Sequence, residues 1–264
     1  MEISLVIVFI VSISFIIFFF LSKFVFEDIK NDADIDVIIL SYNRPHNLKK
    51  SLPILSSYQK INNIYIYHGN SKKYDPTVQH YKVKHVKDFK NDEKMKTLTR
   101  FYHTLKIKSK YTLILDDDVI PSNKLIQKML QKSKEDKTIC VGNMKRLCTK
   151  DGYFFPKDND DEYNTILTPI LFSRTEVFQR VWKQMIKEKT FFDLVLKQNG
   201  NCEDLLFNYT YRKVYKKNAY HVSGKYTTLD TSNGFSTTNS KEHNKIRDRK
   251  STRLNSSHTV ISYA

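Results

Sequence analysis

The stretch YTLILDDDVIPS, residues 111–122, sets three aspartates directly after an apolar run of strand length. A short apolar run bounded by turn-forming residues predicts a buried strand. In sheets of parallel strands, ligands bind beyond the carboxyl ends of the strands, which is where Asp116, Asp117 and Asp118 would lie. The stretch therefore predicts a central strand with a ligand site at its end.

Neighbouring carboxylates repel one another, and a divalent cation relieves that repulsion. In an extended segment Asp116 and Asp118 point to one side and Asp117 to the other, so the outer pair is predicted to bind a metal. Oxygen ligands suit Mn²⁺ or Mg²⁺. A solvated acidic turn, with Ser122 capping a following helix, explains the same residues without a metal.

On both sides of this stretch, strand patterns alternate with helical patterns, and this alternation predicts an α/β fold with a mostly parallel sheet flanked by helices. Three further apolar runs predict strands at 35–40, 63–68 and 138–142. Helical spacing marks the segments 47–59, 94–107 and 123–136, the first interrupted by Pro53. We assign one domain to residues 35–247.

Two loops after predicted strands carry polar residues that would meet the aspartates at the same edge of the sheet. Tyr42, Asn43 and Arg44 follow the first strand, and Gly69 and Asn70 follow the second. Because the carboxyl ends of parallel strands share one edge, these side chains are expected to converge on a nucleotide. Taken singly, each segment is equally well a plain turn.

The composition restricts the possible partners. The chain has 264 residues and a formal net charge of +16, which suggests an anionic partner. Its Lys, Ile, Asn, Tyr and Phe are also what AT-rich codons encode, so we interpret much of the lysine as solvated surface. No dense basic block with interleaved aromatics is present, and no nucleic-acid partner is expected.

The two ends of the sequence are predicted not to belong to the domain. Residues 3–21 are nineteen uncharged residues, nearly enough to span the ~30 Å hydrocarbon core of a membrane as a helix. We predict a transmembrane signal anchor at 1–22 and a short stem at 23–34; a cleaved signal peptide is the alternative. Flanking charge leaves the orientation open. Residues 248–264 back-translate into a common sequencing-library adapter and are predicted not to be native.

Three segments, SYNR at 41–44, DDD at 116–118 and NCEDLLFNY at 201–209, resemble the exostosin-like glycosyltransferases of family 64. The resemblance extends in order from about Asp36 to Arg247. It implies a GT-A fold and a retaining, metal-dependent transferase that uses a UDP-sugar. It further implies transfer of an N-acetylhexosamine to a glycan or glycolipid acceptor by a single-pass type II membrane protein with its domain in the lumen of the Golgi or endoplasmic reticulum.

The resemblance also assigns roles to single residues. Asp118 corresponds to a Mn²⁺ ligand, Asp116 to a residue that helps to hold the sugar nucleotide, and Asp204 to the candidate catalytic acid, with Glu203 beside it. The positions that correspond to nucleotide or diphosphate contacts are Arg44, Asn70, Arg100, Asp117, Arg146 and Arg247.

The three cysteines raise the question of which of them form disulfide bonds. The resemblance implies that Cys202 pairs with a cysteine just beyond Arg247, which would leave the odd count of three explained. Cys140 and Cys148 either pair across a short connection or are buried thiols, and we favour thiols.

Two other functions remain open from the sequence. A haloacid-dehalogenase-type phosphotransferase also uses D-x-D after an apolar strand, but it expects the motif at the first strand and Thr or Val where Ile120 stands. A catalytically degenerate, membrane-tethered scaffold that binds glycans is the second alternative.

Overall fold

The computed structural model describes residues 35–149, 152–156 and 162–232. The strands of this part are β1 Ile35–Ser41, β2 Ile61–His68, β3 Val83–Val86, β4 Tyr111–Asp116, β5 Val119–Pro121, β6 Cys140–Gly142, β7 Lys145–Thr149, β8 Gly152–Phe154, β9 Thr165–Ile166, β10 Ile170–Arg174, β11 Tyr220–His221 and β12 Tyr226–Thr228. The α-helices are α1 Pro45–Ser57, α2 Phe89–Met95, α3 Thr99–Tyr102, α4 Asn123–Glu135, α5 Thr175–Met185, α6 Lys189–Lys197 and α7 Glu203–Tyr215.

Seven strands form the central sheet in the order β11-β6-β10-β4-β1-β2-β3. The pairs β4-β1, β1-β2, β2-β3 and β6-β11 are parallel, and only β10 runs antiparallel to its neighbours β4 and β6. A mostly parallel sheet with helices packed on it confirms the predicted α/β class. Two smaller sheets, β12-β5 and β8-β7-β9, border it.

Strand β4, whose end carries the aspartate triplet, lies in the middle of the sheet, and both of its faces are buried. Leu113 and Leu115 of β4 pack in one apolar core, and Ile114 between them packs in a second core on the other face. Side chains alternate between the faces of a strand, so a continuous apolar run is what a doubly covered strand requires. Strand β1 repeats the arrangement, with Val37 and Ile38 on opposite faces.

Two helix predictions need correction. Helix α1 continues through Pro53 to Ser57 and is not interrupted there, since Leu52 before the proline and Leu55 after it stay buried in the core. The segment predicted as one helix at 94–107 is broken into 3₁₀ and α turns, because Lys96 takes a positive φ of 54°.

Other predictions hold. Strand β6 lies in the predicted segment, and α4 begins where Ser122 caps it by accepting a hydrogen bond from the Leu125 N–H at 3.2 Å. Cys140, Cys148 and Cys202 are buried, and Cys140 and Cys148 are not bonded to each other, which agrees with the thiol interpretation for that pair.

Several predictions fall on residues outside the described ranges. They are the anchor at 1–22, the stem at 23–34, Arg247, the expected partner of Cys202 and the segment 248–264. Among residues 35–149, 152–156 and 162–232, no helix combines the length and hydrophobicity that a membrane span needs.

Candidate active site

A cleft of about 740 Å³ opens at the carboxyl ends of β1, β2 and β4. The structure brings together ten of the site residues predicted from the sequence, and all of them line this cleft: Tyr42, Asn43, Arg44, Asn70, Arg100, Asp116, Asp117, Asp118, Glu203 and Asp204. The loops after β1 and β2 also contact each other, since the Asn70 side-chain amide donates to Asn43 Oδ1 at 2.8 Å. The predicted convergence at one sheet edge is therefore found.

Arg44 is the residue that organises the aspartates. Its Nη2 lies 2.5 Å from Asp117 Oδ1 and its Nη1 lies 2.7 Å from Asp118 Oδ2, so one guanidinium binds two carboxylates. Asp117 is only 2% exposed, and the Tyr42 N–H donates to its other oxygen at 3.4 Å. A planar guanidinium presents paired donors in the geometry such a bridge needs.

This arrangement corrects the expected alternation of the three aspartates along an extended segment. Strand β4 ends at Asp116, and Asp117 and Asp118 form a turn before β5, so the alternation of an extended chain stops there. The Asp118 carbonyl accepts from the Leu229 N–H at 2.7 Å, which fixes the turn against the segment after β12. The second and third aspartates share a partner, and the first has a separate one.

That separate partner is Arg100, a buried arginine on α3. Its Nη1 lies 2.7 Å from Asp116 Oδ1, and its guanidinium also donates to the carbonyl oxygens of Thr97 and Thr168. A buried arginine is stable only when its donors are paired, and here an aspartate and two carbonyls supply the acceptors. Arg100 thus joins the end of β4 to the loop before β10 across the cleft floor.

Burial and mutual repulsion set the charges of the triplet. Burial raises the pKa of Asp117 to about 6, although the Arg44 guanidinium opposes this shift. Burial, followed by the charge of Asp116, also raises the pKa of Asp118. Burial lowers the pKa of Arg44, but Asp117 and Asp118 outweigh it, so the net shift is upward. Arg44 therefore stays charged, while Asp117 and Asp118 hold more tightly to protons than free aspartates do.

A second pair of carboxylates faces the cleft from the first turn of α7. The Thr168 hydroxyl donates to Glu203 Oε1 at 2.8 Å, and the Tyr153 hydroxyl donates to Asp204 Oδ2 at 3.0 Å. Asp204 is 1% exposed yet reaches the cleft from the N-terminal turn of α7. The site therefore has carboxylates on two opposed elements.

Two predicted residues are not placed in the cleft. Arg146 does not line it; its guanidinium lies over the Phe155 ring, 4.0 Å from the ring centre. Arg247 lies outside the described residues.

The structure adds residues that the sequence did not indicate. Lys72 and Lys96 line the cleft and make no ion pair with any residue of the described ranges, so they are positive charges still open to a ligand. Lys96 lies in the segment predicted as a helix interior, where its positive φ has no sequence signal. Lys72 follows Asn70, which caps a short turn by accepting from the Lys72 N–H.

The cleft carboxylates are candidate ligands for a divalent cation. Among the described residues no group of three or more His, Cys, Asp or Glu side chains is arranged to hold a metal. Asp116 and Asp118 nevertheless keep side-chain exposures of 25% and 18% at the cleft, and they are hard oxygen donors. Mg²⁺ and similar ions are commonly bound by one or two carboxylates together with substrate phosphates. The residues fit a cation of that kind.

The comparisons agree with this geometry. No curated protein matches the chain. A family model does match, that of the glycosyl transferase family 64 domain, over residues 35–262. The matched region includes the central sheet and every cleft residue described above, and it covers most of the sequence. The chain therefore belongs to the glycosyl transferase family 64 domain family.

Proposed function

We propose that this glycosyltransferase is an exostosin-like, retaining enzyme of the GT-A type that moves an N-acetylhexosamine from a UDP-sugar to a glycan or glycolipid acceptor. The observation that supports the proposal best is the cleft itself, in which an arginine-bound aspartate triplet faces the carboxylates of Glu203 and Asp204. Under this proposal, one acidic group would lie near the leaving diphosphate and the other near the sugar.

We assign the nucleotide to the β1 and β2 side of the cleft. Tyr42, Asn43 and Asn70 supply a ring and two amides there, which are the groups that bind a base and a ribose by stacking and hydrogen bonding. Lys72 and Lys96 would lie near the phosphates, where their unpaired charges offset the negative charge of a diphosphate.

Asp118 and Asp116 are the residues we expect to hold Mn²⁺, or Mg²⁺ in its place. When bound, the ion would neutralise charge that develops on the diphosphate as the glycosidic bond breaks. Arg44 keeps Asp117 and Asp118 in a fixed orientation whether or not a donor is present, which is a form of preorganisation.

Asp204 is the proposed catalytic residue. Its carboxylate would stabilise the positive charge that develops on the sugar ring, and it would either remain an ion-pair partner or attack the anomeric carbon. In both schemes the acceptor hydroxyl bonds to the face that UDP leaves, so configuration is retained, and the hydroxyl proton passes to the departing diphosphate. Glu203 lies beside it and would orient the sugar or the acceptor.

We also propose that residues 3–21 anchor the protein in a membrane of the Golgi or endoplasmic reticulum with the domain in the lumen. The support is the uncharged length of this segment, which suits a membrane-spanning helix.

The test uses the purified full-length chain with Mn²⁺ and labelled UDP-N-acetylhexosamines, and it measures UDP release with and without oligosaccharide acceptors. Asp118→Asn should abolish turnover and weaken UDP binding, whereas Asp193→Asn, an exposed carboxylate on α6, should behave as wild type. Failure of the wild-type protein to hydrolyse or transfer from any UDP-sugar would sink the proposal. Release of phosphate from a generic monoester would favour the phosphotransferase instead.

A further inference from the structure

We propose that Tyr153 is a positioning residue for Asp204, and that the β7–β8 hairpin is the element that holds this carboxylate ready for the sugar. The inference rests on the proposed function in that it takes Asp204 to be the catalytic carboxylate. It goes beyond that function because it assigns a task to a hairpin that does not line the cleft.

The contact itself is specific. The Tyr153 hydroxyl donates to Asp204 Oδ2 at 3.0 Å, and the Leu205 N–H donates to Asp204 Oδ1 at 3.0 Å. Each carboxylate oxygen therefore has its own donor, one from the helix that carries Asp204 and one from the hairpin. Because donors from two different elements bind the two oxygens, they restrict the rotation of the carboxylate.

The hairpin is built to keep Tyr153 in place. Cys148 of β7 pairs with Tyr153 of β8, and the Phe155 ring meets the Tyr153 ring edge to face, with centroids 6.1 Å apart. The Arg146 guanidinium lies over the Phe155 ring, 4.0 Å from its centre. Edge-to-face ring pairs and cation–π contacts are both favourable.

These contacts explain why Arg146 can matter without lining the cleft. It holds Phe155, Phe155 packs on Tyr153, and Tyr153 binds Asp204. Arg146 was predicted as a substrate contact, and the structure gives it an indirect route to the same site.

Removing the hydroxyl has two physical consequences. The buried Asp204 Oδ2 loses the Tyr153 hydrogen bond, so a buried polar atom loses a donor. With the hairpin donor gone, the carboxylate in the variant would also be less well oriented toward the sugar.

The experiment compares the wild-type chain with Tyr153→Phe and Tyr163→Phe. The second variant is the control, because it also removes a tyrosine hydroxyl, one that accepts a hydrogen bond from the His221 N–H. For Tyr153→Phe we expect kcat to fall by roughly 10- to 100-fold, with KM for the UDP-sugar and the affinity for UDP within about twofold of wild type. Tyr163→Phe should show no such fall in kcat.

The outcomes separate the two proposals. If the wild type turns over a UDP-sugar and Tyr153→Phe either retains its kcat or loses kcat only together with its affinity for UDP, the positioning role is refuted. If the wild type has no turnover, the proposed function has failed, whatever the variants do. Arg146→Ala provides a second check, since a smaller loss of kcat that is not additive with Tyr153→Phe is expected if both act through one path. Full additivity would contradict the path.

Discussion

Thr97 donates its hydroxyl to the carbonyl oxygen of Gly200 at 2.6 Å, and this bond joins two segments that are far apart in the sequence at the floor of the cleft. On one side the chain continues into Arg100 and on the other into Glu203 and Asp204. The relative position of the two halves of the site therefore depends on how closely these backbones approach.

Gly200→Ala should disturb that approach. Gly200 has a φ of +89°, and an added Cβ would lie 2.4 Å from Thr97 Oγ1 and 2.8 Å from the Thr97 nitrogen. We expect a loss of about 1–3 kcal/mol in the free energy of unfolding, measured by urea denaturation. Gly69→Ala is the matched control, since its φ is ordinary and its nearest contact would be a side-chain atom at 3.2 Å. Equal losses for both variants would contradict the strain explanation.

Arg44→Lys tests the bridge between Asp117 and Asp118. A lysine ammonium cannot bind two carboxylates in the planar, two-point manner of a guanidinium, so the turn after β4 should loosen. We expect UDP affinity, measured by calorimetry, to fall by at least about tenfold. Arg180→Lys, at an exposed position of α5, should leave the affinity unchanged. Wild-type affinity in Arg44→Lys would show that the bridge is dispensable.

Lys72 and Lys96, the cleft lysines that have no ion-pair partner among the described residues, predict how UDP binding depends on salt concentration. Lys72→Gln with Lys96→Gln should weaken UDP binding, and the effect should be larger at about 20 mM salt than at about 300 mM, because salt screens exposed charges. Lys124→Gln, on the exposed face of α4, serves as the control. A loss of affinity that is independent of salt would indicate a packing role instead.

His68 predicts how stability depends on pH. Its Nε2 lies 3.0 Å from His85 Nδ1, and burial, together with the His85 charge and despite Asp75, lowers the pKa of His68 to about 4. The folded protein therefore keeps His68 neutral below the unfolded-state value of about 6.5, so the unfolded state binds more protons as the pH falls. Between pH 7 and 5 this should cost the folded state roughly 1 kcal/mol.

The measurement is the urea midpoint at several pH values for wild type and His68→Gln. The variant should lose that part of the pH dependence, whereas His80→Gln, at an exposed position, should retain it. A variant curve parallel to that of wild type would contradict the assignment to His68.

The sequence was sufficient for features that depend on local pattern. The doubly buried run in β4, the cap at Ser122 and the convergence of loops at one sheet edge all follow from periodicity and strand ends. The features it missed depend on long-range contacts. The break at Lys96 requires the contact with the Gly200 loop, and the bond between Tyr153 and Asp204 requires a hairpin folded against a helix start. The alternation expected along DDD was wrong because β4 ends at Asp116, two residues before the end of the triplet.

The order of strands has a consequence for synthesis. Strand β4 lies between β1, which precedes it in the chain, and β10, which follows long after it. While the ribosome is still making the intervening segment, the edge of β4 that β10 will cover has free backbone donors and acceptors beside a strongly apolar surface. Such an edge is a template for association with other chains. The nascent protein is therefore prone to aggregation next to the aspartates on which its chemistry is proposed to depend. This hazard ends only when Ile170–Arg174 has left the ribosome and can pair with β4.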